Sequence, residues 1–331
     1  MLSFFRTNHL AISALLVFYA AVLHLPTLLS PEKVALPASE HAGIWGVWVY
    51  EQTGYQGLIP AILTIILLLV HAILINTMVS NNRLASVVSL FPGLFYILIA
   101  SSLPDFLSFS PIHIANTFYI LALWALMDTY KQPTCADRIF NIGMWLGIAS
   151  LFYPLYLFFF LVAFIGLNIL RAYKIREWLM VVSGIAVPYI LVAVYCFWKD
   201  SLDVFIKLQF EEPFQLFNFA NQSGWEHWVG LAFFAFLILI ALGSFGLYNF
   251  KMQLQVQKKI SVLYWALLIS GLSVFIQKGA GTEHLLVAAV PLGIMLSFNF
   301  INMSARWAEM LHLVLLVLIL CWQYKDYFIG I

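Results

Sequence analysis

Lys278, Glu283 and His284 fall together in the stretch QKGAGTEHLLVAAVPLG, residues 277–293, where a charged, glycine-rich scrap runs directly into a long apolar helix. A cation, a carboxylate and an imidazole at such a helix mouth either cap it at a membrane surface or belong to a site. The capping version is simple. Thr282 closes the helix N-terminus, and Glu283 occupies the first turn, where the helix dipole favours negative charge. The choice depends on where the mouth opens, and therefore on the elements that carry it.

Hydrophobic residues make up 63% of the 331 and charged residues 9%, with a mean hydropathy of +0.95. A soluble domain carries roughly 25% charged residues, so this chain cannot build an ordinary water-facing surface. Apolar runs near 20 residues recur along it, and as helices they match the ~30 Å hydrocarbon core. Unpaired backbone groups are costly in that medium, which leaves helices or closed barrels. Dyad alternation is absent, so helices are expected. The fold predicted is all-α: a polytopic transmembrane bundle, one integral membrane domain over residues 1–331.

Eleven apolar segments are read, at about 10–29, 57–79, 84–103, 112–129, 139–152, 154–171, 178–198, 228–249, 261–277, 284–302 and 308–324. The first reads as a retained span, since no small-residue cleavage site follows it closely. Tyr153-Pro154 is read as separating two short helices, although proline there could instead kink one long helix. With a cytoplasmic N-terminus and eleven crossings, Arg6, Arg83, Lys131, Arg138, Arg171, Lys174, Arg176, Lys251, Lys258, Lys259 and Arg306 lie inside, 11 of the 16 basic residues. By the positive-inside rule the chain is N-in and C-out. The same count supports the split at Tyr153-Pro154, because one long helix would swap the sides of every later loop.

The two long loops, 30–56 and 199–227, then face outward, together with the Lys278–His284 stretch. Each mixes acids with Trp, Tyr and Phe, the pattern of short helices lying at the interface, and the two are expected to pack on each other. No Asp, Glu, Lys or Arg falls near the middle of a segment, which argues against an ion-coupled transporter. His24, His71, His113, His284 and His312 lie in or near segments, without His-x-x-His or HExxH spacing. They are expected to be hydrogen-bonded packing residues and not ligands. Cys135, Cys196 and Cys321 form no motif, and Cys196 and Cys321 read as buried thiols. Phosphate-cradling glycine loops, GxSxG, CxxC and internal repeats are absent. No metal site, no particular cofactor and no nucleic-acid partner follows from these residues.

Two resemblances bear on function. The stretch DRIFNIGMWLGIASLFYPLYLFFFLVAFIGLNILRAYKIREWLMVVSGIAVPYILVAVYCFWKDSLDVF, with GTEHLLVAAVPLGIMLSFNFI, resembles an uncharacterised family of multi-pass membrane proteins of Bacteroidota. That implies a bacterial inner-membrane location and no known activity. In layout the chain also resembles the integral-membrane (C-type) glycosyltransferases, which have a cytoplasmic N-terminus, a long amphipathic first outer loop and short helix pairs. That resemblance implies transfer of a sugar from a polyprenyl-phosphate donor, with a first-loop carboxylate as general base on the acceptor hydroxyl. The matching loop offers Glu32, Glu40 and Glu51, with His41 beside Glu40; the paired acids usual just after the first helix are missing. The late outer stretch would place Lys278 and His284, with Glu283, on a lipid-linked phosphate or sugar, helped by a helix N-terminus.

Each candidate has a plainer role. Glu40 and Glu51 can solvate an interfacial helix anchored by Trp45 and Trp48, and Glu211-Glu212 before Pro213 can be a solvated turn. Three functions therefore stand: a glycosyltransferase-like enzyme, a non-catalytic membrane subunit holding partners in an envelope complex, and a transporter or lipid flippase. The topology has a direct test. Single cysteines at Ser39 and Asn221 should react with an impermeant thiol reagent added outside the inner membrane, and one at Gln255 should not. Labelling at Gln255 with silence at Asn221 would remove a crossing.

Overall fold

The computed structural model describes residues 2, 4–6, 10–31, 41–216, 225–244, 252–279 and 281–324. Glu32 and Glu40 lie outside the described residues. Within them the chain is helical, and an isolated bridge between Phe214 and Gln277 is its one β contact. Fourteen α-helices follow in order: α1 (Leu10–Leu23), α2 (Leu25–Leu29), α3 (Ile44–Thr53), α4 (Leu58–Asn81), α5 (Phe91–Ala100), α6 (Pro111–Met127), α7 (Ala136–Phe152), α8 (Phe160–Leu170), α9 (Ile175–Trp198), α10 (Leu202–Ile206), α11 (Trp225–Gly243), α12 (Leu254–Ser273), α13 (Ala289–Asn302) and α14 (Ala305–Gln323). Two 3-10 stretches lead into helices: Pro154–Phe159 feeds α8, and Thr282–Ala288 feeds α13.

Every one of the eleven apolar segments contains a helix, but their lengths differ widely. Four helical stretches are long and apolar enough to cross a membrane: Leu58–Asn81, Ile175–Trp198, Thr282–Asn302 and Ala305–Gln323. At ~1.5 Å per residue the 24 residues of α4 reach about 36 Å. The segment expected at 84–103 is helical only over the ten residues of α5, about 15 Å. A reason lies in how it starts. Asn76 of α4 accepts a bond from the Gly93 amide at 2.7 Å, and the Leu90 amide bonds the Phe5 carbonyl. All ten residues of α5 are buried, so protein surrounds this short helix on every side.

Helix α4 shows how the sequence faces the bundle outward. Ile59, Ile62, Ile66, Val70 and Ile73 recur at helical spacing and are exposed. Thr64, Leu68, His71, Ile75 and Asn76 lie on the buried side. Polar residues point in and apolar ones out, the reverse of a helix on a soluble protein. Helices α7 and α9 pack at backbone contact. A Cβ on Gly143 would stand 2.0 Å from the Val181 carbonyl, and one on Gly184 2.3 Å from that of Phe140. Small residues permit such close crossings where hydrocarbon supplies no hydrophobic drive.

The chain does split at Tyr153-Pro154. Tyr153 is extended (φ −141°, ψ 104°), and Pro154 opens the 3-10 turn. Helix α8 then runs back, because Arg171 just beyond its end donates to the carbonyls of Thr129 and Gln132, which precede α7. Among the described residues the two long loops touch, as expected. Gln209 lies against Gly43, and Ile44 and Trp45 join a cluster that includes Phe205. One expectation is corrected: Cys321 is exposed, because the apolar stretch of α14 leaves most of its surface outside the bundle.

Contacts at the helix ends fall into two sets. One joins His24 to Ser101, Tyr50 to Phe109, Gly43 to Phe152, Gln209 to Ser150, Lys278 to Pro213 and Gln323 to Ser101. The other joins Arg6 to Met303, Phe5 to Leu90, Asn82 to Lys259 and Arg138 to Asp128. The second set also holds a buried ion pair, Arg171–Glu177 at 3.0 Å, with the guanidinium forked over both carboxylate oxygens. Such a pair is stable only while complete. Glu177→Gln should lower unfolding stability by about 3–5 kcal/mol by leaving a buried cation unpaired, and Arg171→Met with Glu177→Met should lose less than either single change. Thermal unfolding of the three variants in detergent checks this.

Candidate functional site

The late-helix candidates meet the rest of the structure where the Thr282–Ala288 stretch passes the Tyr153 break. Thr282–Ala288 is seven residues long, against the usual three or four for this helix type. Side-chain bonds fasten it along its length. The Thr282 hydroxyl donates to the Asp105 carboxylate, so it does not cap the helix; Gly281 stands at the N-cap without a side-chain bond. Two residues on, both ring nitrogens of buried His284 are engaged: Nδ1 with the Tyr153 hydroxyl at 3.1 Å, and Nε2 with Ser273 Oγ at 3.1 Å. Farther in, Asn116 Nδ2 donates to the Leu286 carbonyl at 3.4 Å, while its Oδ1 accepts from the Tyr156 hydroxyl at 2.6 Å.

The partners fix the direction of the chain of bonds through His284. Gln277 Nε2 donates to the Tyr153 oxygen at 2.6 Å, so the Tyr153 proton points to His284 Nδ1. His284 must then carry its proton on Nε2 and donate it to Ser273, whose own hydroxyl donates to the Ser270 carbonyl. A neutral imidazole satisfies both ring nitrogens and the Tyr153 and Ser273 hydroxyls on either side of it. His284 is thus an internal connector between α12 and the Tyr153 break. Four further histidines are also hydrogen-bonded inside the structure. His24 bonds Ser101, His71 bonds Tyr96 and Thr117, His113 closes a capping box with Ser110, and His312 bonds Tyr19. No cluster of three metal-binding side chains occurs among the described residues.

The remaining candidates separate by exposure. His41 is buried against Gly279, whose φ of +58° suits a residue without a Cβ. Glu283 is half-buried between α3 and the Tyr153 break. Its charge is felt by Tyr50 and Tyr153: burial first, and then Glu283, hold both phenols well above the ordinary range. Lys278 is exposed, and its amide bonds the Pro213 carbonyl at 3.0 Å. Glu51 is exposed on α3, beside the buried Tyr50. The structure thus gathers His41, Glu283 and His284 around one junction with Lys278 exposed beside it, while Glu51 is exposed on α3.

Sequence reasoning did not find Tyr153, Gln277, Ser273 or Asp105. Asp105 carried a signal, as an acid in a brief connection that the charge sorting puts on the same side as Thr282. An apolar cleft of about 170 Å³ opens beside this junction, between α11 and α14. Its lining includes Leu103, Val229, Phe233, Leu318 and Trp322, and Leu103 is two residues from Asp105. No family model, curated protein or solved structure matches the chain.

Tyr153 is the hinge of this arrangement. Tyr153→Phe removes the hydroxyl and leaves Gln277 Nε2 and His284 Nδ1 without the bonds they make to it, so stability should fall by about 1–3 kcal/mol. Combined with His284→Phe, the loss should be smaller than the sum of the two single losses, as a double-mutant cycle would measure by thermal unfolding.

Proposed function

We propose that the protein is a multi-pass protein of a bacterial inner membrane, N-in and C-out. On a scaffold like that of the C-type glycosyltransferases, it takes a sugar from a polyprenyl-phosphate donor at the outer face. The two sets of end contacts support the crossing pattern, since they divide the connections as alternate crossings would. The second set carries Arg6, Arg138, Arg171 and Lys259, in keeping with a cytoplasmic side.

The observation that carries the enzymatic reading is the cleft between α11 and α14. It is apolar, lies between flank helices, and is lined by Leu103, two residues before the Asp105 that bonds Thr282. An apolar cavity of ~150 Å³ can take up benzene, so this one holds about one isoprene unit. A prenyl chain seated there would bring its phosphate to the junction of Lys278 and Glu283. In this reading Lys278 pairs with the phosphate, and a carboxylate of the first loop (Glu51, Glu40 or Glu32) serves as base on the acceptor. Glu283 orients Lys278 or a substrate hydroxyl.

A second reading, a non-catalytic subunit of an envelope complex, has one observation in its favour. Tyr195, Phe197 and Trp198 at the outer end of α9 are exposed aromatics on a flank wide enough for another membrane protein. The two readings part on one measurement. In detergent, Glu283→Gln and Lys278→Ala should each lower polyprenyl-phosphate binding tenfold or more while the melting temperature is kept. A tenfold loss corresponds to ~1.4 kcal/mol, beyond the 0.3–1 kcal/mol of an exposed helix-dipole charge. Unchanged binding in both variants would reduce the stretch to a helix mouth and remove the enzymatic reading.

A further inference from the structure

At the opposite set of helix ends, three lysines converge on one ring. The ammonium groups of Lys131, Lys258 and Lys259 stand 5.6, 5.9 and 6.0 Å from the centroid of Tyr130. Tyr130 itself is buried. Like charges are thereby held close together, although nothing in the chain's length obliges three long side chains to gather.

The neighbourhood is built, and the lysines do not merely drift over it. Arg171 clamps the Thr129 and Gln132 carbonyls on either side of Tyr130 and Lys131, and Lys131 is held at a positive φ of 54°. Lys259 is buried on α12, where its ammonium donates to the Asn82 side-chain oxygen. Asn82 is fixed in turn by its amide bond to the Met78 carbonyl. An ammonium has three protons to donate, and Asn82 accepts one. No carboxylate among the described residues lies within ion-pair distance of Lys259. The nearest influence of opposite sign is Asp128, which partly offsets the burial that lowers the Lys259 pKa. Arg83, next to Asn82, and Arg138, bonded to the Asp128 carbonyl, add further positive charge to this end.

We propose that Lys131, Lys258 and Lys259, arranged over Tyr130 and positioned by Asn82, form a binding site for a phosphate-bearing anion at the basic end of the bundle. A phosphate supplies the acceptor oxygens that the lysine protons lack and relieves the repulsion among them. Two sources offer that group. One is the headgroup of an anionic phospholipid, which basic pockets between membrane helices take up; the other is a free phosphate compound. This site lies apart from the junction at His284 and does not depend on the enzymatic reading.

The test uses the full chain in a non-ionic detergent, with melting temperature followed against added ligand. Dioctanoyl phosphatidylglycerol, dioctanoyl phosphatidylcholine and inorganic phosphate are the three probes. The site predicts a saturable rise with phosphatidylglycerol and none with phosphatidylcholine, whose headgroup carries no net charge. Lys131→Gln with Lys258→Gln, chosen because these side chains are not buried as Lys259 is, should keep the fold and weaken that response at least tenfold. A rise with inorganic phosphate at similar concentrations, lost in the same variant, would identify a free phosphate compound as the occupant. An equal response to phosphatidylcholine, or a phosphatidylglycerol response that the double variant leaves intact, overturns the proposal.

Discussion

A polar group surrounded by hydrocarbon has no water to fall back on, and the interior of this protein is organised around that constraint. Several of its buried imidazoles and amides make bonds that join one helix to another, while buried hydroxyls such as Thr64, Ser270 and Ser297 bond carbonyls of their own helix. His71 ties α4 to α5 and α6, and His284 ties the mouth of α13 to α12 and to the Tyr153 break. Apolar packing is available on every side, so it cannot by itself choose which helices are neighbours. The polar bonds choose, since each has one partner at one distance.

The same constraint explains what was legible in the sequence. Apolar length marked where helices would be, and the outward stripe of α4 follows from residues 3 or 4 apart. Tyr153-Pro154 showed itself through charge, since only a split keeps the later lysines and arginines together. The histidines without ligand spacing proved to be hydrogen-bonded. The shortness of α5 was hidden, because Leu84 to Leu103 is apolar throughout much of its length. Pro92 marks the start of that helix, and the Gly93 amide that follows is taken up by Asn76, a residue in another helix. Arg171 and Glu177 were visible as charges at a helix end, but their pairing depends on how α8 doubles back.

The candidate site was legible as a stretch and not as a mechanism. Lys278, Glu283 and His284 share one stretch, but His284 is turned inward while Lys278 is exposed. Tyr153 and Asp105 could not be read from the Gln277–Gly293 stretch, because each approaches it from a distant part of the chain. Their effect is to hold Glu283 at a depth intermediate between surface and core. A carboxylate there is near enough to the interior to be oriented and near enough to the surface to meet a ligand.

The 3-10 form of Thr282–Ala288 has a mechanical consequence. A 3-10 helix rises ~2.0 Å per residue and an α-helix ~1.5 Å, so the same seven residues would shorten by about 3.5 Å on changing form. Turn angle changes as well, from about three residues per turn to about 3.6, which swings Glu283 around the axis relative to α13. Such a change would break the bonds to Asp105, Tyr153 and Ser273 together, because all three are fixed to other parts of the bundle. The stretch is therefore a strut of set length, held at once by Asp105, Tyr153 and Ser273.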